Sequence, residues 1–554
     1  KTVKSVSIFV HILKFERIDF PAPVKFTIDV GTPVYTVNDP YLSFNIDSAS
    51  LYQDTVGGRL NFTDPNFVDL GKKFCTASAG GAILRFGGSA ADDLVYIGEN
   101  DTTEYTQQIH VDTDYWDSIM AYGDITGCKI VWDLCALSLR NEADNSWDST
   151  NAQLLFDHMV SKKQTVYGFQ FGNEPGHWYT RHYPNGPDGV QLGKDLVTLQ
   201  SIVSDKFGVY SSQPLLFGPD NCGPARMTED SPCSNVTFFT DIITGGEDVL
   251  SGVTVHHYGL KSAHSDPNNC NVEDFTNPRV IFTPEKNYYI WRDAKNHAVG
   301  SKQQSGIDLI LGETASSGTG GCPDLSNSFA AGFWWMHTLG EVASLQYDQV
   351  YRQDFIGWSG IGDVSHYTLA GNPGWSGAYT TDAEGSTVAP EVLTANPDFF
   401  TAVLWKTIMG PTVLDVKLEH NSMLQGVSMH AHCAAPGEGV PAGAIALGYA
   451  NTRTTAVHIG HSLDFLGDDN ADSSISSRIE YFLRTGDEAG DLQSRQVRLN
   501  DNPNPLSASS ALTGNVISNA DTDTDTDTDI PLELPPLSYG FVVLTNSQAR
   551  ACMS

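Results

Sequence analysis

The chain of 554 residues contains 32 Lys or Arg against 66 Asp or Glu, which gives a formal net charge of −34 at pH 7. A protein this acidic is expected to repel nucleic acid and anionic membrane surfaces, so neither is an expected partner. No run of residues approaches the ~20 apolar residues that a membrane span requires. The length predicts two domains, or one large barrel with a companion domain.

The cysteines and the glycosylation sequons favour an oxidising compartment. Nine cysteines are spread along the chain without a Cys-x-x-Cys pair, which argues for disulfide bonds and against a zinc or iron–sulfur site. Asn-x-Ser/Thr acceptors occur at Asn61, Asn100 and Asn235. These features predict a secreted, extracellular or lysosomal glycoprotein; the alternative is a cytosolic protein with buried thiols and chance sequons.

Residues 1–40 predict strands rather than helices. The run from Ser5 to Leu13 is apolar but short, and it is interpreted as an edge strand rather than a signal segment. The run Val24–Tyr35 alternates between apolar and polar residues, which is typical of a half-buried strand. These strands are expected to complete a β-sandwich that the C-terminal part of the chain forms.

Short apolar runs alternate with helical patterns between residues 41 and 410. Most runs are nearly continuous apolar stretches, as in parallel strands that are buried on both faces. The eight predicted strands are Leu42–Asp47, Ala82–Gly88, Lys129–Leu134, Gly168–Asn173, Leu215–Asp220, Val253–Tyr258, Ile307–Gly312 and Gln349–Phe355. Amphipathic stretches such as Asn151–Ser161, Val190–Phe207 and Phe329–Leu345 lie between them. Eight strand–helix units in a row predict an α/β fold, a (β/α)8 TIM barrel whose active site lies at the carboxyl ends of the strands.

The pattern changes to antiparallel β-structure over residues 411–554. Alternating segments at Ala444–Tyr449, Ala456–Ile459, Arg478–Leu483 and Tyr539–Leu544 are separated by turn residues, which predicts a C-terminal β-sandwich. The Asp-Thr tract Asp521–Asp529 is interpreted as a solvated loop rather than a calcium site, because it lacks the Gly and Glu of a defined calcium loop.

Two lone glutamates stand out within the predicted barrel. Glu174 is predicted to follow the fourth strand and Glu313 the seventh, so both are expected at the face that carries the active site. Glycoside hydrolysis needs two opposed carboxyl groups, one to protonate the leaving oxygen and one to attack or to activate water. The alternative for either residue is a glutamate that simply ends a strand in water.

Several short motifs follow one another along the predicted barrel. They are Ile46-Asp47, Leu84-Arg85-Phe86-Gly87-Gly88-Ser89 followed by Asp92, Gly172-Asn173-Glu174-Pro175, Gly218-Pro219-Asp220, Val255-His256-His257-Tyr258, Leu311-Gly312-Glu313-Thr314 and Arg352-Gln353. By the order and spacing of these motifs, and not by any single one, the chain resembles the heparanase-like glycoside hydrolases of family 79 from about residue 41 to the C-terminus.

The resemblance implies a retaining β-glycosidase that needs no cofactor and no metal. Glu313 would be the ionised nucleophile, and Glu174 would be protonated at rest and act first as acid and then as base. The implied substrate-binding residues are Asp47, Gly88, Ser89, Asn173, His257, Tyr258, Gln353 and Tyr367. Arg85 would be a buried partner of the carboxylates, and Cys433 and Cys552 would form a disulfide bond.

The implied substrate is a glycosaminoglycan or another glucuronide glycan. The segment Asn221–Asp230 contains one Arg and two acidic residues, whereas a sulfate-dense polymer needs several basic residues. This composition favours a less charged polymer such as hyaluronan. The hypothesis is an endo-acting enzyme, which requires a cleft that is open at both ends. The alternatives are an exo-β-glucuronidase on the same fold, and a catalytically inactive glycan-binding or structural protein.

Overall fold

The computed structural model describes most of the chain. The described residues are 24–53, 59–175, 187–223, 235–246, 249–261, 266–302, 306–357, 365–371, 380–381, 387–388, 393–418, 425–460, 463–468, 470–486, 490–518 and 531–553. Within these ranges, no helix combines the length and the apolar character that crossing a membrane would require.

Eight parallel strands close into a barrel. In chain order they are Leu42–Asp47, Ala82–Gly87, Cys128–Leu134, Gly168–Phe171, Leu215–Asn221, Gly252–Leu260, Asp308–Ser317 and Gln349–Arg352. Each strand pairs with the next, and the eighth pairs with the first. The predicted (β/α)8 fold class is therefore confirmed, and each predicted strand corresponds to one strand of the barrel.

Apolar side chains fill the interior of the barrel and cover its outer surface. Ile83, Val131, Phe217, Ile310 and Tyr351 form a buried cluster of their own, as expected for layers of residues that point into a barrel. The neighbouring residues along these strands belong to the large core beneath the helices. Burial on both faces explains why the strands are continuous apolar runs in the sequence.

Helices surround the barrel and connect its strands. The described α-helices are Pro65–Cys75, Thr113–Thr126, Thr150–Lys162, Gly189–Phe207, Val236–Gly245, Val272–Thr276, Pro278–Ile281, Lys286–Lys302, Ala331–Ser344 and Pro397–Ile408. Short 3-10 helices span Ser48–Leu51, Ser89–Asp93, Pro267–Asn269 and Arg550–Cys552. The short strands Leu94–Ile97 and Ile109–Asp112 pair in parallel. Three further two-stranded sheets pair Ala370–Gly371 with Thr394–Ala395, Thr380–Thr381 with Thr387–Val388, and Val457–Gly460 with Leu532–Leu534.

A ten-stranded sheet lies beside the barrel. The order of its main path is Asp464–Leu466, Phe26–Asp29, Met409–Leu418, Val427–Ala434, Ile445–Asn451, Ser538–Leu544, Arg478–Thr485 and Val497–Leu499, with Tyr35–Thr36 and Asn515–Ile517 at its sides. Phe26 pairs with Leu418, so the strand near residue 24 and the C-terminal strands belong to one sheet. The pairs are antiparallel except for Asp464–Leu466, which runs parallel to its neighbour.

The two faces of this sheet have different partners. Ile445, Leu447 and Tyr449 face a core that also contains Val457 and Leu532. Those last two belong to a small second layer, in which Val457–Gly460 pairs with Leu532–Leu534. The opposite face packs on the helices Ala331–Ser344 and Pro397–Ile408 of the barrel. Both faces of the sheet are therefore covered.

Disulfide bonds link distant parts of the chain. The structure contains Cys75–Cys128, Cys270–Cys322 and Cys433–Cys552. Cys222 is also disulfide-bonded, and Cys233 lies outside the described residues. Cys135 is a buried free cysteine. The bond between Cys75 and Cys128 joins the first barrel helix to the third barrel strand and was not predicted.

Candidate active site

Glu174 and Glu313 face each other across the carboxyl end of the barrel. The Oε1 atom of Glu174 lies 2.9 Å from Nδ1 of His256, and Oε2 of Glu313 lies 3.5 Å from the same nitrogen. Carboxylate oxygens of the two glutamates lie within 4.8 Å of each other. Glu313 is 5% exposed and Glu174 is half-buried. Two carboxyl groups thus open onto one small space.

A tight turn places Glu174. The fourth strand ends at Phe171, and Glu174 three residues later has a φ of 45°, a left-handed conformation that non-glycine residues seldom adopt. Its backbone N–H donates to the carbonyl oxygen of Asp220, 3.1 Å away. Such unfavourable dihedrals concentrate at functional sites, where neighbouring contacts hold them.

Glu313 lies within the seventh strand, not after it as the sequence predicted. The strand continues to Ser317, and its register against the sixth strand shifts between Val255 and His256. Because of this shift, Glu313 is directly opposite His256. An apolar pattern cannot reveal the extension, since the strand goes on through polar residues at the site.

Two donors hold the carboxylate of Glu313. The hydroxyl of Tyr258 donates to Oε2 over 2.7 Å, and Nη1 of Arg85 donates to Oε1 over 3.0 Å. Arg85 is fully buried, and it also donates to Asn173 Oδ1 over 2.9 Å and to Gln170 Oε1 over 2.7 Å. Each oxygen of the Glu313 carboxylate therefore accepts a hydrogen bond, and the backbone of Glu313 lies in a strand.

His256 is a buried cation between carboxylates. Its Nε2 atom lies 3.1 Å from Asp220 Oδ1, opposite the Nδ1 contact with Glu174. Burial alone would lower the pKa of this imidazole, but the carboxylates of Glu313 and Asp220 outweigh it and raise the pKa to about 10. At neutral pH this raised pKa keeps His256 protonated, with Nδ1 in contact with Glu174 and Nε2 in an ion pair with Asp220.

Asp220 contacts nearly every part of the site. Its carboxylate pairs with Arg85 and with His256, its carbonyl accepts the N–H of Glu174, and its N–H lies 2.8 Å from Thr254 Oγ1. Burial would raise its pKa, but the charges of Arg85 and His256 lower it. A Cβ on Gly312 would lie 2.6 Å from Asp220 Oδ1. A larger residue before Glu313 would therefore displace the Asp220 carboxylate from His256.

Several known proteins are similar to this chain in sequence. Residues 77–340 match the N-terminal domain of glycosyl hydrolase family 79. Mouse heparanase is 26% identical over 582 residues, covering 94% of this chain and 93% of its own. Human inactive heparanase-2 is 26% identical over 456 residues, covering 79% of this chain and 64% of its own. The resemblance found in the motifs is therefore confirmed.

The chain is a glycoside hydrolase that resembles the heparanase-like enzymes of family 79.

A solved structure shares the fold of this hydrolase. The crystal structure of a 4-O-α-L-rhamnosyl-β-D-glucuronidase from Fusarium oxysporum superposes with a TM-score of 0.58 at 12% identity, over 94% of this chain and all of the other. At this identity the likeness is one of architecture.

Most of the substrate-binding residues expected from the family lie around the two glutamates of the hydrolase. Gln353 Nε2 donates to Asp47 Oδ2 over 3.2 Å, and the same carboxyl group lies against Gly88. Tyr367 stacks on Tyr258 with ring centroids 6.1 Å apart. Asn173 accepts from Arg85, and Ser89 follows Gly88 at the start of a 3-10 helix. Their roles in binding sugar remain predictions.

His257 does not face this site, contrary to the expectation from sequence. It packs on Tyr288 and lies near Glu285, 3.5 Å from its carboxylate, on the helix side of the sixth strand. Successive residues in a strand point to opposite faces, so His256 and Tyr258 face the glutamates and His257 faces away. The motif identified a histidine pair; the register shift before His256 determines which of the two is inside.

The sequons differ in accessibility. Asn61 and Asn100 are exposed. Asn235 is 8% exposed, and its side chain accepts the N–H of Thr237 as the cap of a helix. The buried side chain argues against glycosylation of Asn235 in the folded protein.

Three segments named in the sequence analysis lie wholly or partly outside the described residues. The positions concerned are residues 5–13, 224–230 and 521–529.

Asp92 links the loops that carry the site and is expected to make stability depend on pH. Its carboxyl group accepts the N–H groups of Ala136, Leu137 and Asn173, and burial raises its pKa from 3.8 to about 7. Between these values the folded state holds a proton that the unfolded state has lost. The stabilisation is therefore complete below pH 4 and is lost as the pH rises to about 7, by a few kcal/mol.

An Asp92→Asn variant should show a flatter dependence of unfolding free energy on pH between 4 and 7 than the wild type. Urea unfolding followed by intrinsic fluorescence at several pH values measures this slope. Asp124→Asn, at an exposed position, should behave as the wild type. Parallel curves for Asp92→Asn and the wild type would contradict the assignment.

Proposed function

We propose that this hydrolase is a retaining β-glycosidase that cuts glucuronic-acid-containing glycans internally. The observation that carries the proposal is the approach of the Glu174 and Glu313 carboxylate oxygens to within 4.8 Å. Retaining glycosidases have carboxyl groups about 5–5.5 Å apart, whereas inverting enzymes leave ~6.5–9.5 Å for a water. The short separation supports direct attack by one carboxylate.

The two glutamates have different tasks in this proposal. A Glu313 oxygen attacks the anomeric carbon and forms an ester bond to it, while Glu174 gives its proton to the leaving glycosidic oxygen. Water then attacks the same carbon, the bond to Glu313 breaks, and Glu174 takes the proton back. Glu313 is held by Arg85 and Tyr258 and Glu174 is the more exposed of the pair, which supports this assignment.

The substrate class is supported by names of relatives and by charge. Matched proteins are called heparanase, and the structural neighbour is called a β-D-glucuronidase. The net charge of −34 disfavours a densely sulfated polymer, which requires basic residues to bind it. Hyaluronan, which carries one carboxylate per disaccharide and no sulfate, is the proposed polymer. The disulfide bonds support secretion or a lysosomal location.

Human inactive heparanase-2 is also a relative, so an inactive glycan-binding protein is the rival. Sugar binding alone does not call for two facing carboxyl groups with separate sets of partners. Their presence in this chain favours turnover.

Size-exclusion chromatography of hyaluronan tests the proposal. The wild type should shorten the polymer rapidly, and Glu313→Gln should leave its length unchanged because the nucleophile is lost. Glu438→Gln, the same change in an exposed turn of the C-terminal domain, should act as the wild type.

Heparan sulfate and an aryl β-glucuronide are incubated in parallel. Cleavage of heparan sulfate in place of hyaluronan would overturn the proposed polymer, and cleavage of the aryl glucuronide alone would establish exo action. No cleavage of any substrate over a broad pH range would favour the rival.

A further inference from the structure

A second cluster of ionisable side chains lies outside the catalytic site, where the barrel meets the ten-stranded sheet. A cavity of about 420 Å³ opens there between the helix Ala331–Ser344 and the strands Met409–Leu418 and Val427–Ala434. His337 and Glu341 of the helix line it, together with Ser428 and His430 of the sheet. None of these residues takes part in the proposed hydrolysis.

His337 has an imidazole nitrogen that its surroundings leave unused. The residue is 6% exposed, and its Nε2 atom has no hydrogen-bond partner in the described part of the chain. A buried polar atom without a partner is rare in proteins, and it often marks a place where an ion or a water belongs. The other nitrogen, Nδ1, lies 2.8 Å from the hydroxyl of Ser428.

The hydrogen bonds around Ser428 assign the tautomer of His337. The Ser428 hydroxyl also lies 3.2 Å from Nε2 of His430. If His337 Nδ1–H donates to Ser428 and Ser428 donates to His430, each of these two donors has an acceptor. The opposite direction would leave a buried Nε2–H of His337 without an acceptor at hydrogen-bond distance, since Glu341 Oε2 is 3.6 Å away, and this costs free energy. The favoured arrangement gives Nε2 a free lone pair, as metal-binding histidines have.

Glu341 presents an oxygen beside that lone pair. It lies one helical turn after His337, and its Oε2 atom is 3.6 Å from His337 Nε2. Two ligands at about 2.0–2.1 Å from a tetrahedral zinc ion lie roughly 3.4 Å apart, so the pair already has nearly the required spacing. The other oxygen, Oε1, accepts the N–H of Glu285 over 3.0 Å, which orients the carboxyl group.

We propose that His337 Nε2 and Glu341 Oε2 bind one divalent transition-metal ion of the Zn²⁺ class, with water in the cavity completing its coordination. A nitrogen ligand with a carboxylate oxygen suits Zn²⁺, Co²⁺ or Ni²⁺ better than Ca²⁺ or Mg²⁺. Ser428 is then the outer partner that fixes the ring, as in other histidine metal sites.

Packing and hydrogen bonding within the fold explain two members of the cluster, Glu341 and His430. Glu341 is needed to accept the Glu285 N–H, and His430 packs on Gly340, where any Cβ would overlap its ring. Neither contact gives a reason for an imidazole at position 337 with a bare nitrogen facing a cavity. A bound cation supplies that reason.

The test must exclude the catalytic centre, where Glu174, His256 and Glu313 also lie close enough to hold an ion. The full-length Glu174→Gln/Glu313→Gln double variant removes both of those carboxylates. Co²⁺ is titrated into it, with binding followed by visible d–d absorption and by equilibrium dialysis. His337→Gln and Glu341→Gln are then added singly, and His458→Gln serves as the control, since His458 forms an exposed pair with Glu533 in the second sheet layer.

One Co²⁺ per chain is expected in the double variant and in its His458→Gln derivative, and it should be lost with either added substitution. Zn²⁺ should displace Co²⁺ and raise the thermal midpoint in proportion to the logarithm of its concentration. Absence of Co²⁺ binding by the folded double variant, or binding unchanged by His337→Gln and Glu341→Gln, would overturn the proposal. If the added substitutions prevent folding, the Zn²⁺-dependent midpoint of the double variant decides the question alone.

Discussion

Glu174→Gln is expected to lose about 10²- to 10⁴-fold of its turnover on a substrate with a poor leaving group, because general acid catalysis is worth that much. A glucuronide with a 2,4-dinitrophenyl leaving group needs no protonation, so its first bond cleavage should remain fast. The second step then lacks its base, and the glycosyl–enzyme ester on Glu313 should accumulate. Stopped-flow release of dinitrophenolate should show a burst equal to the enzyme concentration.

Azide provides the matched control for this assignment. It needs no general base, so it should attack the accumulated ester, release Glu313 and form a β-glycosyl azide at a rate that rises with its concentration. Glu313→Gln cannot form the ester and should give no burst and no β-azide. An equal loss on good and poor leaving groups in Glu174→Gln, without rescue by azide, would assign the proton transfer to another group.

Asp220→Asn is expected to destabilise the fold and to move the pH dependence of catalysis. Removing one partner of a buried ion pair costs about 3–5 kcal/mol, and here Arg85 and His256 both lose a carboxylate. Because Asp220 helps to raise the pKa of His256 to about 10, the variant's His256 should lose its proton at lower pH. The alkaline limb of kcat/KM should shift toward neutral pH.

A second buried pair separates the two effects of this substitution. Asp195 is 2% exposed and pairs with Arg140 over 2.6 Å, away from the two glutamates. Asp195→Asn should lower the urea midpoint without moving the alkaline limb. If both variants keep the wild-type pH profile, Asp220 acts only through stability and His256 does not contribute its charge to catalysis.

The barrel could be predicted from sequence because its signal is local. Each buried parallel strand must be apolar on both faces, so eight runs such as Leu215–Asp220 were visible one by one. The position of Glu174 and Glu313 at one end followed from the topology of a barrel. The exact end of the seventh strand could not be predicted, because the polar residues at the site show no periodic pattern.

The network below the glutamates could not be predicted in the same way. Asp220 was recognised as the end of a motif, but its partners Arg85 and His256 come from other strands and meet only after the barrel closes. The adjacent residues His256 and His257 are equivalent in a sequence pattern, which therefore cannot show that His256 faces the site. Strand register, which includes the shift after Val255, decides between them.

The pairing of Phe26 with Leu418 has a consequence for how the protein is made. A ribosome adds about 5–20 residues per second, so the strand Phe26–Asp29 waits on the order of tens of seconds before its partner exists. Its backbone groups and the apolar side chains of Phe26 and Ile28 stay unpaired while the whole barrel is translated. During that interval, an unpaired strand is open to chaperones and to wrong partners, and secretion would lengthen the delay.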